Sequence, residues 1–136
     1  MILIDTHPMI WFTLGEQRLG EKARRTIMDG AEKEALVFSP ISFWEASMLI
    51  RKGRVRFEVS IQEWAHTILE NGVALIGISS EIAVDAGQLP HSIHGDPADR
   101  ILVATARALS CPLLTADRKI LGYAAAGHLQ AIDARH

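Results

Sequence analysis

The sequence predicts one α/β domain, with a mainly parallel sheet of about five strands covered by helices. Three observations carry that expectation. Short apolar runs such as Ile2-Leu3-Ile4, Leu36-Val37-Phe38 and Pro112-Leu113-Leu114 do not alternate with polar residues, as befits strands buried on both faces. The segments between them carry apolar residues at helical spacing, so strand and helix alternate along the chain. The chain has 136 residues, 49% of them hydrophobic and 22% charged, which suits a single globular domain spanning residues 1–136.

The first strand, residues 2–4, ends in Asp5-Thr6-His7-Pro8, and Met9-Ile10-Trp11-Phe12 with Leu14 continues as a short helix before Gly15. A second helix runs from residue 20 to 28, with Ala23 and Ile27 inward, Lys22, Arg24 and Arg25 outward, and Gly30 ending it. Residues 36–38 are the second strand, and Ser39-Pro40 opens a helix over residues 41–52. Ile41, Trp44, Met48 and Leu49 mark its expected apolar face. A helix over 60–71 closed by Gly72, a third strand over 73–78, and a helix from Ser79-Ser80-Glu81 to residue 89 follow. A polar loop leads to Asp96. Pro97 suits a first helical position, Asp96 its N-cap, and the helix extends to about Ser110. Residues 112–115 form the fourth strand, 118–125 a short helix broken by Gly127, and 129–132 the last strand.

The apolar runs are too short to span a bilayer, and no charged-then-apolar leader precedes the first strand, so a cytoplasmic location is expected. The single Cys111 excludes an internal disulfide and reads as a small buried hydrophobe. A formal net charge of −2 at pH 7 carries no global nucleic-acid signature. Any contact with phosphates must therefore come from a local basic patch or from metal ions. Arg51, Lys52, Arg54 and Arg56 form the densest positive stretch, which reads either as a phosphate-steering patch or as a solvated helix end. Arg100 and Arg118 are further steering candidates.

Four acids stand out. Asp5 and Asp117 follow short apolar strands, Asp99 lies one turn into a helix, and Glu45 interrupts an apolar helix face. In a parallel sheet each following helix starts at the strand's carboxyl edge, so Asp5, Asp99 and Asp117 fall on one edge by chain logic. Glu45 joins them if its helix leans across; otherwise it lies at the edge of its stripe and reaches water or a basic partner. Two negative charges about 4 Å apart repel by roughly 4 kcal/mol at an effective dielectric near 20. An acidic quartet therefore calls for a cation, and all-oxygen ligands select Mg²⁺ or Mn²⁺. Thr6 and Thr115 are candidates to hold an aspartate or a metal-bound water. His91 and His94 have ligand-like spacing but no matching Cys or further His. His7 fits either a proton shuttle or a surface role. No Gly-rich phosphate loop, dinucleotide fingerprint or nucleophile elbow is present.

Leu3-Ile4-Asp5-Thr6-His7, Ser42-Phe43-Trp44-Glu45 with Lys52-Gly53-Arg54, His94-Gly95-Asp96-Pro97-Ala98-Asp99-Arg100, and Leu114-Thr115-Ala116-Asp117 follow one another in an order the chain shares with a known family. The chain resembles the PIN domain, and within it the VapC-type ribonuclease toxins of toxin–antitoxin pairs. The resemblance implies a three-layer fold and a Mg²⁺-dependent endoribonuclease, with Mn²⁺ able to substitute. It implies Asp5, Glu45, Asp99 and Asp117 as the catalytic, metal-binding quartet. RNA is the implied substrate, and a homodimer and a small cognate antitoxin are the implied assemblies. Asp96 matches a further acid of this branch and reads equally as cap or metal neighbour. Ala98 stands where the branch often has an aromatic residue. A non-catalytic interaction module, or a PIN nuclease acting on other RNA or DNA, is the competing reading. Trp11, Phe12, Phe43, Trp44 and Trp64 are expected in the core or at a partner surface.

Overall fold

The structure, a computed structural model, describes residues 1–136 except Ser92 and His94. His94, which opens one quoted motif and completes the His91/His94 pair, thus lies outside the described residues. The elements follow in the order β1 (Ile2–Ile4), α1 (Thr6–Leu14), α2 (Glu21–Glu32), β2 (Leu36–Phe38), α3 (Pro40–Arg51) and α4 (Ile61–Glu70). Then come β3 (Ala74–Leu75), α5 (Ser80–Gly87), α6 (Pro97–Leu109), β4 (Leu113–Thr115), α7 (Arg118–Ala125) and β5 (Ala131–Asp133).

All strand pairings are parallel, in the order β3-β2-β1-β4-β5. β1 is central, with Leu3 opposite Val37 on one side and Leu113 on the other. The chain builds outward from β1 through β2 to β3, then returns to place β4 on β1's free side. The crevice beyond the carboxyl ends of β1 and β4 is therefore a topological switch point, where open parallel sheets place their sites.

Alternation within each strand divides the core into two layers. Ile4, Leu36, Phe38 and Leu114 pack on one face with Met9, Ile10, Ala23, Ile27, Trp64 and Ile68 from α1, α2 and α4. Leu3, Val37 and Leu113 pack on the other with residues of α5, α6 and α7. This is the expected helix–sheet–helix sandwich.

Several boundaries differ from expectation. α1 starts at Thr6, because the Asp5 side chain caps it, and Gly15 (φ +68°) ends it in a left-handed turn. α2 runs through Gly30, which stays helical; a Cβ there would come within 2.6 Å of Leu36 Cδ2. The glycine thus permits close packing on β2, and the chain turns at Glu34 (φ 53°) instead. β3 shrinks to two exposed residues, since an edge strand pairs on one side only. β5 lies further along, at 131–133, where Thr115 pairs with Asp133.

α3 is rotated from its expected face. Ser42 and Ala46 are buried and Trp44 is 51% exposed. Small residues let α3 approach α1 closely, and Thr6 Oγ1 donates to Ser42 Oγ at 2.8 Å across that contact. Trp11 and Trp64 lie in the core, Phe12 and Phe43 pack against it, and Trp64 Nε1 donates to Thr13 Oγ1 at 2.9 Å. Cys111 is buried, as expected.

Candidate active site

A cleft of about 510 Å³ opens at the carboxyl edge of the sheet and is lined by Asp5, Glu45, Asp96, Asp99 and Asp117. Two other hollows, of about 490 and 540 Å³, are lined around Tyr123 and around Cys111 and include no acidic residue. Volume does not distinguish the three, but carboxylate content does.

Each acid is delivered by its local structure. Asp5 follows β1, where its backbone N–H donates to Leu114 O at 2.9 Å, and its Oδ1 accepts the Thr6 N–H at 2.7 Å. Asp117 follows β4 and caps α7, its Oδ1 accepting from the N–H groups of Lys119 (2.8 Å) and Ile120 (3.0 Å). Asp96 caps α6 through Oδ1, at 2.9 Å from Ala98 N and 3.3 Å from Asp99 N. Asp99 is the third helical residue of α6 and is 8% exposed. Three helix N-termini thus meet at one cleft, and their positive ends favour negative charge there. Sequence reasoning assigned the cap role to Asp96 but missed it for Asp5 and Asp117.

Thr115 ties the two strand ends together. Its hydroxyl donates to Asp5 Oδ2 at 2.7 Å and accepts the Asp117 N–H at 3.0 Å. Thr6 holds Asp5 through its backbone N–H, while its hydroxyl is spent on Ser42. Glu45 reaches the cleft from α3. Among the described residues its Oε1 is the buried side-chain atom left without a hydrogen-bond partner, a costly state for a carboxylate oxygen.

The electrostatics follow from this crowding. Burial pushes Asp5 up from 3.8 to about 7; the Thr115 hydroxyl and Thr6 N–H oppose the rise, and the charges of Glu45 and Asp117 add to it. Burial also pushes Asp99 up to about 8, with Asp5, Asp96, Asp117 and Glu45 all contributing in the same direction. Asp99 therefore senses every other acid of the cleft. Such a cluster holds protons near neutral pH or exchanges them for a cation.

The five acids offer only oxygen donors, which fits a hard divalent ion. Among the described residues no three acid, imidazole or thiolate groups converge closely enough to enclose an ion. The described residues thus form no closed cage of the structural-zinc kind. The arrangement suits an ion that takes one or two carboxylates directly and keeps several waters, as Mg²⁺ does.

The basic candidates divide. Arg54 lines the cleft, brought back by the turn at Gly53 (φ +71°). Arg51, Lys52, Arg56 and Arg118 are exposed and do not line it. Arg100 is spent on the chain itself, donating to Ala86 O at 2.8 Å and Ile93 O at 3.3 Å. His7 lines the cleft, and so do Trp11, Arg18 and Arg135, three residues not anticipated there. Arg135 had a legible signal, since it stands two residues past the last strand, at the edge that carries Asp5 and Asp117. Arg18 lies in a loop and offered none.

Comparisons with known proteins agree with this architecture. A family model described as PIN domain matches residues 2–126. Ribonuclease VapC22 of Mycobacterium tuberculosis is 33% identical over 119 residues, covering 88% of each chain. Among solved structures, FitAcB from Neisseria gonorrhoeae superposes with a TM-score of 0.66 at 19% identity, over 100% of this chain and 99% of that one. VapBC2 from Rickettsia felis, solved with a DNA fragment from its promoter, gives a TM-score of 0.68 at 16% identity over 98% of both chains. At such identities the structural likenesses speak for the fold.

Proposed function

The chain belongs to the PIN domain family, and from that premise we propose that it is a divalent-metal-dependent endoribonuclease, the toxin of a toxin–antitoxin pair. The observation that carries this reading is the cleft itself, where five carboxylates meet and where burial first, and then the charges of the other four, raise Asp99. The 33% identity to Ribonuclease VapC22 supports RNA as the substrate. The antitoxin is supported by a structural neighbour from Klebsiella pneumoniae that was solved as a toxin–antitoxin complex.

In this proposal Mg²⁺, or Mn²⁺ in its place, would sit among Asp5, Asp99, Asp117 and Glu45, taking one or two of these carboxylates directly and meeting the others through its waters. When bound, the ion lowers the pKa of a water and offsets charge on phosphate oxygens. The side chains do the rest. Glu45, with its unpartnered oxygen, orients the attacking water and accepts its proton. Thr115 keeps Asp5 and Asp117 in fixed relation. Among the described residues the cleft lining includes no Ser, Thr, Cys, Lys or Tyr, and in this proposal the attacking group is water. Asp96 stands beside Asp99 and caps α6, and Arg54 steers phosphates toward the acids.

Cleavage of a mixed-sequence fluorogenic RNA, with Mg²⁺, Mn²⁺ or EDTA, tests the reading. We expect activity with either metal, none in EDTA, and loss in Asp99→Asn. An unaffected Asp99→Asn would remove the assignment. Inactive wild type whose melting temperature ignores divalent ions would favour the interaction module instead. We also propose a homodimer; a sharp monomer in light scattering at high micromolar concentration would exclude it. Among the described residues no helix is long and apolar enough to cross a membrane.

A further inference from the structure

The cleft also contains a cation whose placement is unusually well determined. Arg135 lines it beside the five carboxylates, on the tail that follows β5. That tail is bolted down on both sides. Ala134 N–H donates to Thr115 O at 2.8 Å, Gly20 N–H to Ala134 O at 2.9 Å, and Lys22 N–H to His136 O at 2.8 Å. Ala134 is fully buried, and a Cβ on Gly20 would fall 2.6 Å from the Arg135 carbonyl carbon.

The side chain is held as firmly as the backbone. Arg135 Nη1 donates to the carbonyl of Ala116, the residue just before Asp117. Its Cζ lies 5.8 Å from the centroid of the Trp11 ring, and Arg18 Cζ lies 5.1 Å from the same ring. Trp11 is only 4% exposed, so it serves as a fixed platform for both cations.

Among the described residues, Arg135 forms no ion pair with any carboxylate of the cleft. A guanidinium carries five N–H donors in a rigid fork, and the Ala116 carbonyl occupies one of them. The Nε and Nη2 donors have no acceptor among the described residues. Arg18, by contrast, commits Nε and Nη2 to Glu16 Oε1, at 3.1 and 2.5 Å. A pre-placed planar fork with spare donors, at the wall of a carboxylate cleft, matches a phosphate in shape and charge.

We infer that Arg135 is the phosphate-binding residue of this cleft, gripping a backbone phosphate of single-stranded RNA beside the bond being cut. This rests on the ribonuclease reading above. It differs from that reading's basic patch at residues 51–56, because it assigns the grip to the tail after β5.

The test compares Arg135→Gln and Arg135→Lys, with exposed Arg25→Gln as a control for net charge. Glutamine keeps a donor for the Ala116 carbonyl but loses the charge, and lysine keeps the charge without the fork. Two readouts are taken: KM and kcat on the fluorogenic RNA, and the salt dependence of binding a labelled single-stranded RNA in an Asp99→Asn background. We expect Arg135→Gln to raise KM about tenfold or more, the scale of a lost charged hydrogen bond, with kcat changed far less. The slope of log K against log salt should become shallower by about 0.7, one phosphate contact on a single strand. Arg135→Lys should recover the slope and only part of KM, and Arg25→Gln should change neither. An unchanged slope and KM in Arg135→Gln, with wild type cleaving RNA, overturns the inference and leaves the nuclease reading standing. A fall in kcat alone, with the slope intact, also overturns it and makes Arg135 a mere brace for Ala116. Wild type that neither cleaves nor binds RNA removes the ribonuclease reading, and this inference with it.

Discussion

Asp96 and Asp99 sit three residues apart and do different things with the same functional group. Asp96 spends Oδ1 on two backbone N–H groups and still raises Asp99 through its charge. Substitution separates these roles, because asparagine caps a helix about as well as aspartate, whereas alanine costs about 1 kcal/mol. We expect Asp96→Asn to keep the wild-type melting temperature in EDTA at about pH 4, where Asp99 is protonated in the fold, while Asp99 titrates at lower pH, followed by carboxyl carbon NMR. Asp96→Ala should lower both the melting temperature and the Asp99 titration. An unmoved Asp99 titration in both variants would show that Asp96 acts as a cap only. The sequence made Asp96 legible as a cap because Pro97 marks the helix start locally. The partnership of Thr115 with Asp5 was not legible in detail, since it joins groups 110 residues apart.

At the scale of elements, a strand-to-helix turn such as Ser39-Pro40 could be read locally, whereas the packing of helices could not. α2 illustrates the difference. Its N-cap, Gly20, makes no side-chain cap bond, and its first turn is met instead by the carbonyl of His136 from the tail. A Cβ at Gly20 would sit 2.1 Å from the His136 carbonyl carbon, so any side chain there must displace backbone. We expect Gly20→Ala to lower the unfolding free energy by about 1–3 kcal/mol, the usual cost of overpacking, as measured by urea denaturation. An unchanged midpoint would mean that the tail does not dock on α2 in solution. α3 makes the same point from its apolar pattern. Trp44 belonged to the inward stripe by spacing, yet close approach to α1 required the small side chains of Ser42 and Ala46 there instead.

The whole molecule carries the cost of gathering these acids. In the unfolded chain Asp5 and Asp99 titrate near 3.8, whereas in the fold they titrate at about 7 and about 8. Between those limits the folded state binds more protons, so stability falls as pH rises. The loss begins above about pH 4 and is complete beyond about pH 8, once both groups are ionised in the fold. We therefore expect the melting temperature in EDTA to decline steadily from about pH 5 to pH 9, with a shallower decline in Asp99→Asn. A divalent ion competes with those protons, so its stabilisation should be largest at the alkaline end. At 100 times its dissociation constant an ion adds about 2.7 kcal/mol, a shift of several degrees. A flat pH profile in EDTA would contradict the crowding of the cleft.

The sequence by itself determined the class of fold and the edge at which the acids stand. An apolar strand followed by a polar turn and a helix has a fixed direction, so Asp5 and Asp117 arrive at the carboxyl edge whatever the strand order, and Asp99 joins them because α6 runs from that edge back to the start of β4. The tertiary structure alone decided that β4 lies beside β1, and so which strand ends flank the crevice. It also decided that α3 leans far enough for Glu45 to enter the cleft, and that Arg135 meets Trp11 there. Strand order and helix docking are set by the burial of surfaces distant in sequence. No local pattern of residues encodes them.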